Sequence, residues 1–194
     1  MNEDLQVEQL DNYLAGKNIA LCVTGGIAAI ETPKIARHLR RYGAEVHAYA
    51  THTAFQFVGK AALEWGTGKP VVSKLSGLAE HICLEDLVLI APATYNVINS
   101  IVGGIADSAV TTLVASALGK KVPILIAPTM HESMYQNPIL QENLKRAEQY
   151  GITIIPPRIG EGKAKIPSTP TLVDAVFKAL EVGNYALEVG EHAP

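Results

Sequence analysis

Five short stretches of this sequence hold side chains suited to binding or proton transfer, and each stands at or near the end of an apolar run. The turn Thr24-Gly25-Gly26-Ile27 follows the run Ile19 to Val23 and opens a stretch of helical spacing. Glycines there permit a tight turn, and the free N–H groups of a starting helix make an anion site that the Thr24 hydroxyl can complete. Such a turn suits one phosphate; a dinucleotide is disfavoured because the Gly-x-Gly-x-x-Gly spacing is absent. An ordinary glycine-rich strand-to-helix turn has the same sequence. Thr51 and Thr53 end a second run, Glu45 to Ala50. They either reach the same phosphate, or Thr53 simply caps the next helix.

The third stretch, Pro92-Ala93-Thr94-Tyr95-Asn96, follows the run Leu87 to Ala91. A proline followed by small and amide side chains lets the backbone and Asn96 come close to a flat ring. His81 stands a few residues upstream, in Glu80-His81-Ile82-Cys83-Leu84. Imidazole gives or takes a proton near neutral pH, although a lone histidine is more often solvated or hydrogen-bonded in a structural role. The fourth run, Pro123 to Ala127, ends in Pro128-Thr129-Met130-His131. A neutral His131 offers one donor and one acceptor, and a charged one offers two donors. Met130 and Met134, at i and i+4, serve equally as core or interface filler.

The elements that must position these residues alternate. Strand-like runs at 19–23, 45–50, 87–91, 123–127 and 151–155 are separated by helical spacing at 27–42, around 54–65, and at 97–103, 108–118, 138–150 and 171–181. That alternation predicts an α/β fold, a Rossmann-like doubly wound parallel sheet in a single domain. The first, third and fourth runs are almost continuously apolar, as central parallel strands are. In such sheets ligands gather outside the carboxyl ends of the strands, where all but one of these stretches fall. Gly43 and Gly119 stand where C-terminal helix caps are wanted, and Asp107 stands where an N-cap is wanted, the reading favoured over a catalytic role. Residues 66–77 and 156–170 read as irregular. The second has four prolines and two glycines and is long enough for a lid. Its Lys163 and Lys165 either keep a loop solvated or supply charge for a phosphate or carboxylate. Residues 1–16 read as a polar extension, 17–182 as the ligand-binding domain, and 183–194 as a mobile tail.

Composition narrows the function classes. A chain of 194 residues that is 48% hydrophobic can bury the core of one domain. Net charge is −3 and no Lys/Arg cluster stands out beyond residues 37–41, so the sequence predicts no nucleic-acid partner. The two cysteines, Cys22 and Cys83, lie in or beside apolar runs and form neither a disulfide framework nor a metal-ligand spacing. No basic leader and no apolar run of about 20 residues is present, so no membrane partner is expected and a cytoplasmic location fits.

The Gly25-Gly26-Ile27-Ala28 opening, the His81-Ile82-x-Leu84 tetrad, the Pro92-Ala93-Thr94 turn with Asn96, and Pro128-Thr129-Met130-His131 occur in one order over about residues 17–180. Together they resemble the signatures of the flavin-containing cysteine decarboxylase family. The resemblance implies FMN as cofactor, with Thr24, Gly25, Gly26, Ile27, Thr51 and Thr53 at its phosphate and Pro92, Ala93, Thr94 and Asn96 near its ring. It also implies His81 and Asn96 as catalytic residues, and Met130, His131, Lys163 and Lys165 on the side of a small cysteinyl substrate. The expected activity is oxidative decarboxylation, most directly of 4'-phosphopantothenoylcysteine in coenzyme A biosynthesis. A homotrimer or homododecamer with flavin at the subunit interface is implied as well.

Two departures from the family pattern stand out. His131 takes the place of an asparagine, and residues 156–170 lack the lid cysteine of the bacterial enzymes. Both favour an FMN redox protein without decarboxylase activity, while Asn96-Val-Ile-Asn99 keeps open a lantibiotic-type peptide cysteine decarboxylase and a flavin prenyltransferase fits the His81 and Pro-x-Met motifs less well.

Overall fold

The five apolar runs fold as parallel neighbours. The computed structural model describes residues 3–183, and its main sheet contains β1 (Asn18–Val23), β2 (Glu45–Ala50), β3 (Leu87–Ala93), β4 (Ile124–Pro128) and, fifth in this sheet, β6 (Ile152–Ile154). Their order is β2-β1-β3-β4-β6, all parallel. The order reverses between β1 and β3, which makes the crevice above those two strands the expected ligand site.

Period-2 alternation explains why the central strands are apolar throughout. Ala20, Cys22, Val88, Ile90, Ile124 and Ile126 face one layer, with residues of α3 (Tyr95–Val102), α4 (Ala109–Lys120) and α6 (Pro138–Gln149). Ile19, Leu21, Leu87, Leu89 and Leu125 face the other, with α1 (Thr32–Arg41) and α7 (Thr169–Ala179). Both faces are dry, as a parallel sheet between helices requires. The polar N-terminal segment lies against α1: Leu10 and Leu14 N–H donate to Arg41 and Tyr42 carbonyls at 2.8 Å each, and Leu14 is fully buried.

Several boundaries differ from the sequence reading. The helical stretch from 27 begins as a 3-10 turn, Ile27–Glu31, before α1. Another 3-10 turn, His52–Gln56, precedes α2 (Lys60–Thr67), so Gly66 and Thr67 are helical rather than irregular, and Gly68 takes the left-handed cap. Gly43 follows α1 with φ +91°. Gly119, expected as a cap, lies inside α4, and Lys121 at φ 59° ends that helix. Ser108, not Asp107, is the N-cap of α4: its side chain accepts from Thr111 N–H at 3.2 Å while Thr111 Oγ1 accepts from Ser108 N–H at 3.0 Å.

The largest difference is at 156–170. The segment is a β-hairpin, β7 (Arg158–Gly160) and β8 (Lys163–Lys165), turned by Glu161 and Gly162, both at positive φ. β8 also pairs with β5 (Met130–His131), which gives a second, antiparallel sheet in the order β5-β8-β7. A short helix, α5 (Glu132–Tyr135), follows β5. The expected mobile tail lies, from residue 184 onward, outside the described residues.

Candidate active site

A cleft of about 1100 Å³ opens over the carboxyl ends of β1 and β3 and runs beneath the small sheet. It is slightly larger than the ~300–1,000 Å³ usual for small-molecule sites. Gly25, Gly26, Ile27, Thr51, Thr53, Pro92, Thr94, Asn96, Met130, His131, Lys163 and Lys165 all line it. Thr24, Ala93 and His81 do not.

At one end the chain builds an anion cradle. The N–H groups of Ile27 and Ala28 precede the first bond of their 3-10 turn, Ala29 N–H to Gly26 O at 2.9 Å, and so are left free for a ligand. Thr51 and Thr53 put their hydroxyls 3.2 Å apart beside this turn. Gly25 is required by that closeness, because a Cβ there would meet Thr53 Oγ1 at 2.5 Å. Thr24 plays another part than the one the sequence predicts. Its fully buried hydroxyl donates to Pro92 O at 2.8 Å and accepts from Thr94 N–H at 3.1 Å. Its donor is committed and it does not line the cleft; it joins the turn after β1 to the turn after β3. Ala93, buried in β3, likewise shapes the floor from below.

Asn96 is exposed near the start of α3, and its amide has no partner among the described residues. Ser100, Asp107, Ser108 and Thr111 continue the polar lining past Asn96. Sequence reading weighed Asp107 as a cap against a catalytic role and singled out none of the other three, although the hydroxyl-rich Asp107-Ser108-x-x-Thr111 spacing carried that signal. On the opposite side, His131 Nδ1 accepts from Ser133 N–H at 3.2 Å and lies 2.8 Å from Ser133 Oγ. The imidazole is the N-cap of α5. An acceptor at Nδ1 puts the proton of the neutral ring on Nε2, the nitrogen nearest the Gly162 turn.

His81 is exposed on the loop before β3, outside the cleft of its own chain. Behind that loop lies a polar knot. Glu85, only 5% exposed, accepts from Tyr49 O–H at 2.9 Å and Leu84 N–H at 3.0 Å, and pairs with His47 Nδ1 at 3.3 Å. Burial alone would raise its pKa, but the hydrogen bonds from His47, Tyr49 and the backbone outweigh that and hold it at about 2. Burial pushes the neighbouring Cys83 thiol up to about 11 and raises buried Cys22 as well. Both thiols are therefore protonated at neutral pH and poor nucleophiles.

The cleft thus has an anion cradle at one end, an open amide beside the floor, and cationic side chains above. The family model described as Flavoprotein matches residues 8–181, and the chain belongs to that family. The coenzyme A biosynthesis bifunctional proteins CoaBC of Thermococcus kodakarensis and Methanocaldococcus jannaschii are each 44% identical to it over 174 residues, covering 86% and 88% of this chain. It spans only 43% and 42% of their lengths. Among solved structures, the FMN-dependent cysteine decarboxylase SpaF superposes with a TM-score of 0.73 at 27% identity, over 84% of this chain and 99% of that one. A PPC decarboxylase mutant complexed with pantothenoylaminoethenethiol gives 0.73 at 25% identity, over 85% and 98%. Among the described residues no helix is long and apolar enough to cross a membrane, and no His/Cys/Asp/Glu group could hold a metal ion.

Proposed function

We propose that this chain is an FMN-dependent decarboxylase of a small cysteinyl substrate, 4'-phosphopantothenoylcysteine in coenzyme A biosynthesis. The observation that carries this reading is the cleft itself, with an anion cradle at one end and Asn96, Met130 and His131 at the other. The 44% identity to bifunctional coenzyme A biosynthesis proteins supports the substrate.

The Ile27 and Ala28 N–H groups with the Thr51 and Thr53 hydroxyls hold the FMN phosphate; Gly25 and Gly26 let the backbone approach it, while Pro92 and Thr94 form the floor beneath the ring. When bound, FMN would supply a two-electron oxidant that takes the cysteinyl thiol to a thioaldehyde, so that the adjacent carboxylate can leave as carbon dioxide, and would return the same two electrons, with two protons, to the resulting enethiol to give the thiol product. Asn96 orients the reacting thiol with its free amide. His131 donates from Nε2–H to the substrate carboxylate, and Met130 shields it from water.

His81 acts as the base from a second copy of the chain in a homotrimer or homododecamer of cytoplasmic enzyme. Two apolar surfaces support such an assembly: Leu78 and Leu84 near His81 are 86% and 80% exposed, and Ile27 at the cleft rim is 71% exposed. Exposed apolar side chains in such groups mark interfaces.

The test is incubation of the purified yellow protein with 4'-phosphopantothenoylcysteine, with carbon dioxide and thiol product measured by mass spectrometry. A colourless protein that takes up no added FMN sinks the reading. For the shared site, inactive His81→Asn and Asn96→Ala proteins are unfolded, mixed and refolded together. Recovered turnover in the hybrids supports a cleft completed by a second copy, and none contradicts it.

A further inference from the structure

The small sheet turns a cationic face to the cleft. In β5-β8-β7, His131 pairs with Lys163 and Arg158 pairs with Lys165. Directly paired residues share a face, and Lys163 and Lys165, two apart on one strand, share it too. His131, Lys163, Lys165 and Arg158 therefore stand on a single face, and all four line the cleft.

These groups are not equally free. Lys165 Nζ is held by Glu161 Oε2 at 2.5 Å, and that bond lowers the Glu161 pKa. Arg158 gives only Nε, to Ile166 O at 3.1 Å. This fixes the guanidinium plane and leaves both terminal nitrogens without a partner among the described residues. Lys163 makes no side-chain hydrogen bond among those residues, although its charge adds to the field on Glu161. The acids on the opposite wall are engaged elsewhere: Glu31 pairs with Lys34 at 3.5 Å, and Asp107 accepts from Thr111 Oγ1 at 3.3 Å. Three cations and one acid thus leave the face with surplus positive charge over a cleft that is otherwise largely apolar.

The register also gives a spacing. Arg158 lies two strands across and two residues along from His131, which at strand dimensions is roughly 12 Å. A ligand whose carboxylate meets His131 and Lys163 would carry a second anion of about that reach to meet Arg158. A fixed guanidinium fork with two free nitrogens matches a phosphate oxygen pair better than an ammonium does.

Resting on the decarboxylase reading, we infer that Arg158 reads a remote phosphomonoester on the cysteinyl substrate, with Lys165 beside it, and that this selects a phosphorylated small molecule over a peptide ending in cysteine. A peptide C-terminus offers the carboxylate but no second anion at that distance. No cysteine occurs among residues 156–170; recognition here falls to a charged hairpin.

The experiment compares 4'-phosphopantothenoylcysteine with pantothenoylcysteine as substrates, and 4'-phosphopantetheine with pantetheine as equilibrium ligands followed through the flavin absorbance. The FMN-loaded parent is expected to favour the phosphorylated member of each pair by roughly ten- to a hundredfold, the scale of a charge-assisted hydrogen-bond pair. Arg158→Gln is expected to reduce that preference to within about threefold, through KM rather than kcat, and Arg158→Lys to keep part of it. An equal loss of affinity for both members would mean that the hairpin has only been loosened, and overturns the assignment. A parent indifferent to the phosphate also overturns it, and carbon dioxide release from both substrates would then leave the decarboxylase reading standing. A parent that binds neither pair and releases no carbon dioxide overturns both.

Discussion

The floor and the cover of the cleft are built by different physics. The floor consists of the ends of β1 and β3, strands buried on both faces, and its geometry follows from the packing of Ile19, Leu21, Leu89 and Ile90 against two helical layers. The cover consists of strands of two or three residues with exposed charges, joined by few ladder bonds. Ile159 on its outer side is 55% exposed. The floor is therefore coupled to the stability of the whole domain, whereas the cover can vary its charge at small cost to the fold. In the proposed reading cofactor binding belongs to the first region and substrate choice to the second.

The largest effect expected from this contrast is on folding. Leu89→Ala removes a fully buried side chain from the central strand and is expected to cost about 2–5 kcal/mol, whereas Ile159→Ala on the cover is expected to stay within about 0.5 kcal/mol. Urea unfolding of the FMN-free proteins measures both. Comparable losses at the two positions would break the contrast.

Next in size is the effect expected at His81, which lines neither region of the cleft and is the proposed base. His81→Asn is expected to retain flavin and to lose roughly a hundredfold or more in turnover. The exposed loop predicts no stability penalty with it. Turnover within a few-fold of the parent would remove His81 from the mechanism.

The loop itself is anchored by Glu85. Replacing it by Gln leaves His47 and Tyr49 without their charged partner and is expected to cost about 1–3 kcal/mol. The sign with pH follows from its depressed pKa. The charged form is favoured in the folded state, so its stabilisation is complete above the ordinary value of 4.5 and is lost as pH falls toward about 2. Acid titration of parent and Glu85→Gln should show their stabilities converging across that window. Parallel curves would mean that Glu85 is not held as described.

How much of this was legible in the sequence divides along the same line. The floor was legible because long apolar runs and helical spacing encode buried parallel strands, and five runs became five strands. The cover was not. Arg158-Ile-Gly160 and Lys163-Ala-Lys165 are too short for a period to register, and their turn has glutamate where asparagine or aspartate would have signalled a hairpin. Thr24 was misread because a hydroxyl at a strand end looks the same whether it meets a phosphate or a neighbouring turn; only Pro92 and Thr94, far along the chain, decide it. Gly119 was misread because Lys121 adopts the left-handed conformation that glycine was expected to supply. Arg158 escaped notice because its value lies in sharing a face with residues on two other strands.

The smallest effect is expected at the point where floor and cover meet. His131 departs from the asparagine of the family pattern, yet its Nδ1 accepts from Ser133 N–H and caps α5, which an asparagine side-chain oxygen also does. In the proposed reading its Nε2–H then plays the part of the amide donor. The substitution thus preserves one acceptor and one donor on a ring of different reach, and a charged imidazole is not needed. His131→Asn is accordingly expected to leave stability within about 0.5 kcal/mol and catalytic efficiency within a few-fold. His131→Leu, which loses both groups, is expected to cost about 1 kcal/mol in capping and to weaken substrate binding. Nitrogen NMR of the parent should find the neutral ring protonated at Nε2. If His131→Asn instead abolished turnover, or substrate binding in the parent fell as the imidazole lost its charge, the ring would be acting as a cation, and the cover would take part in the chemistry rather than only in recognition.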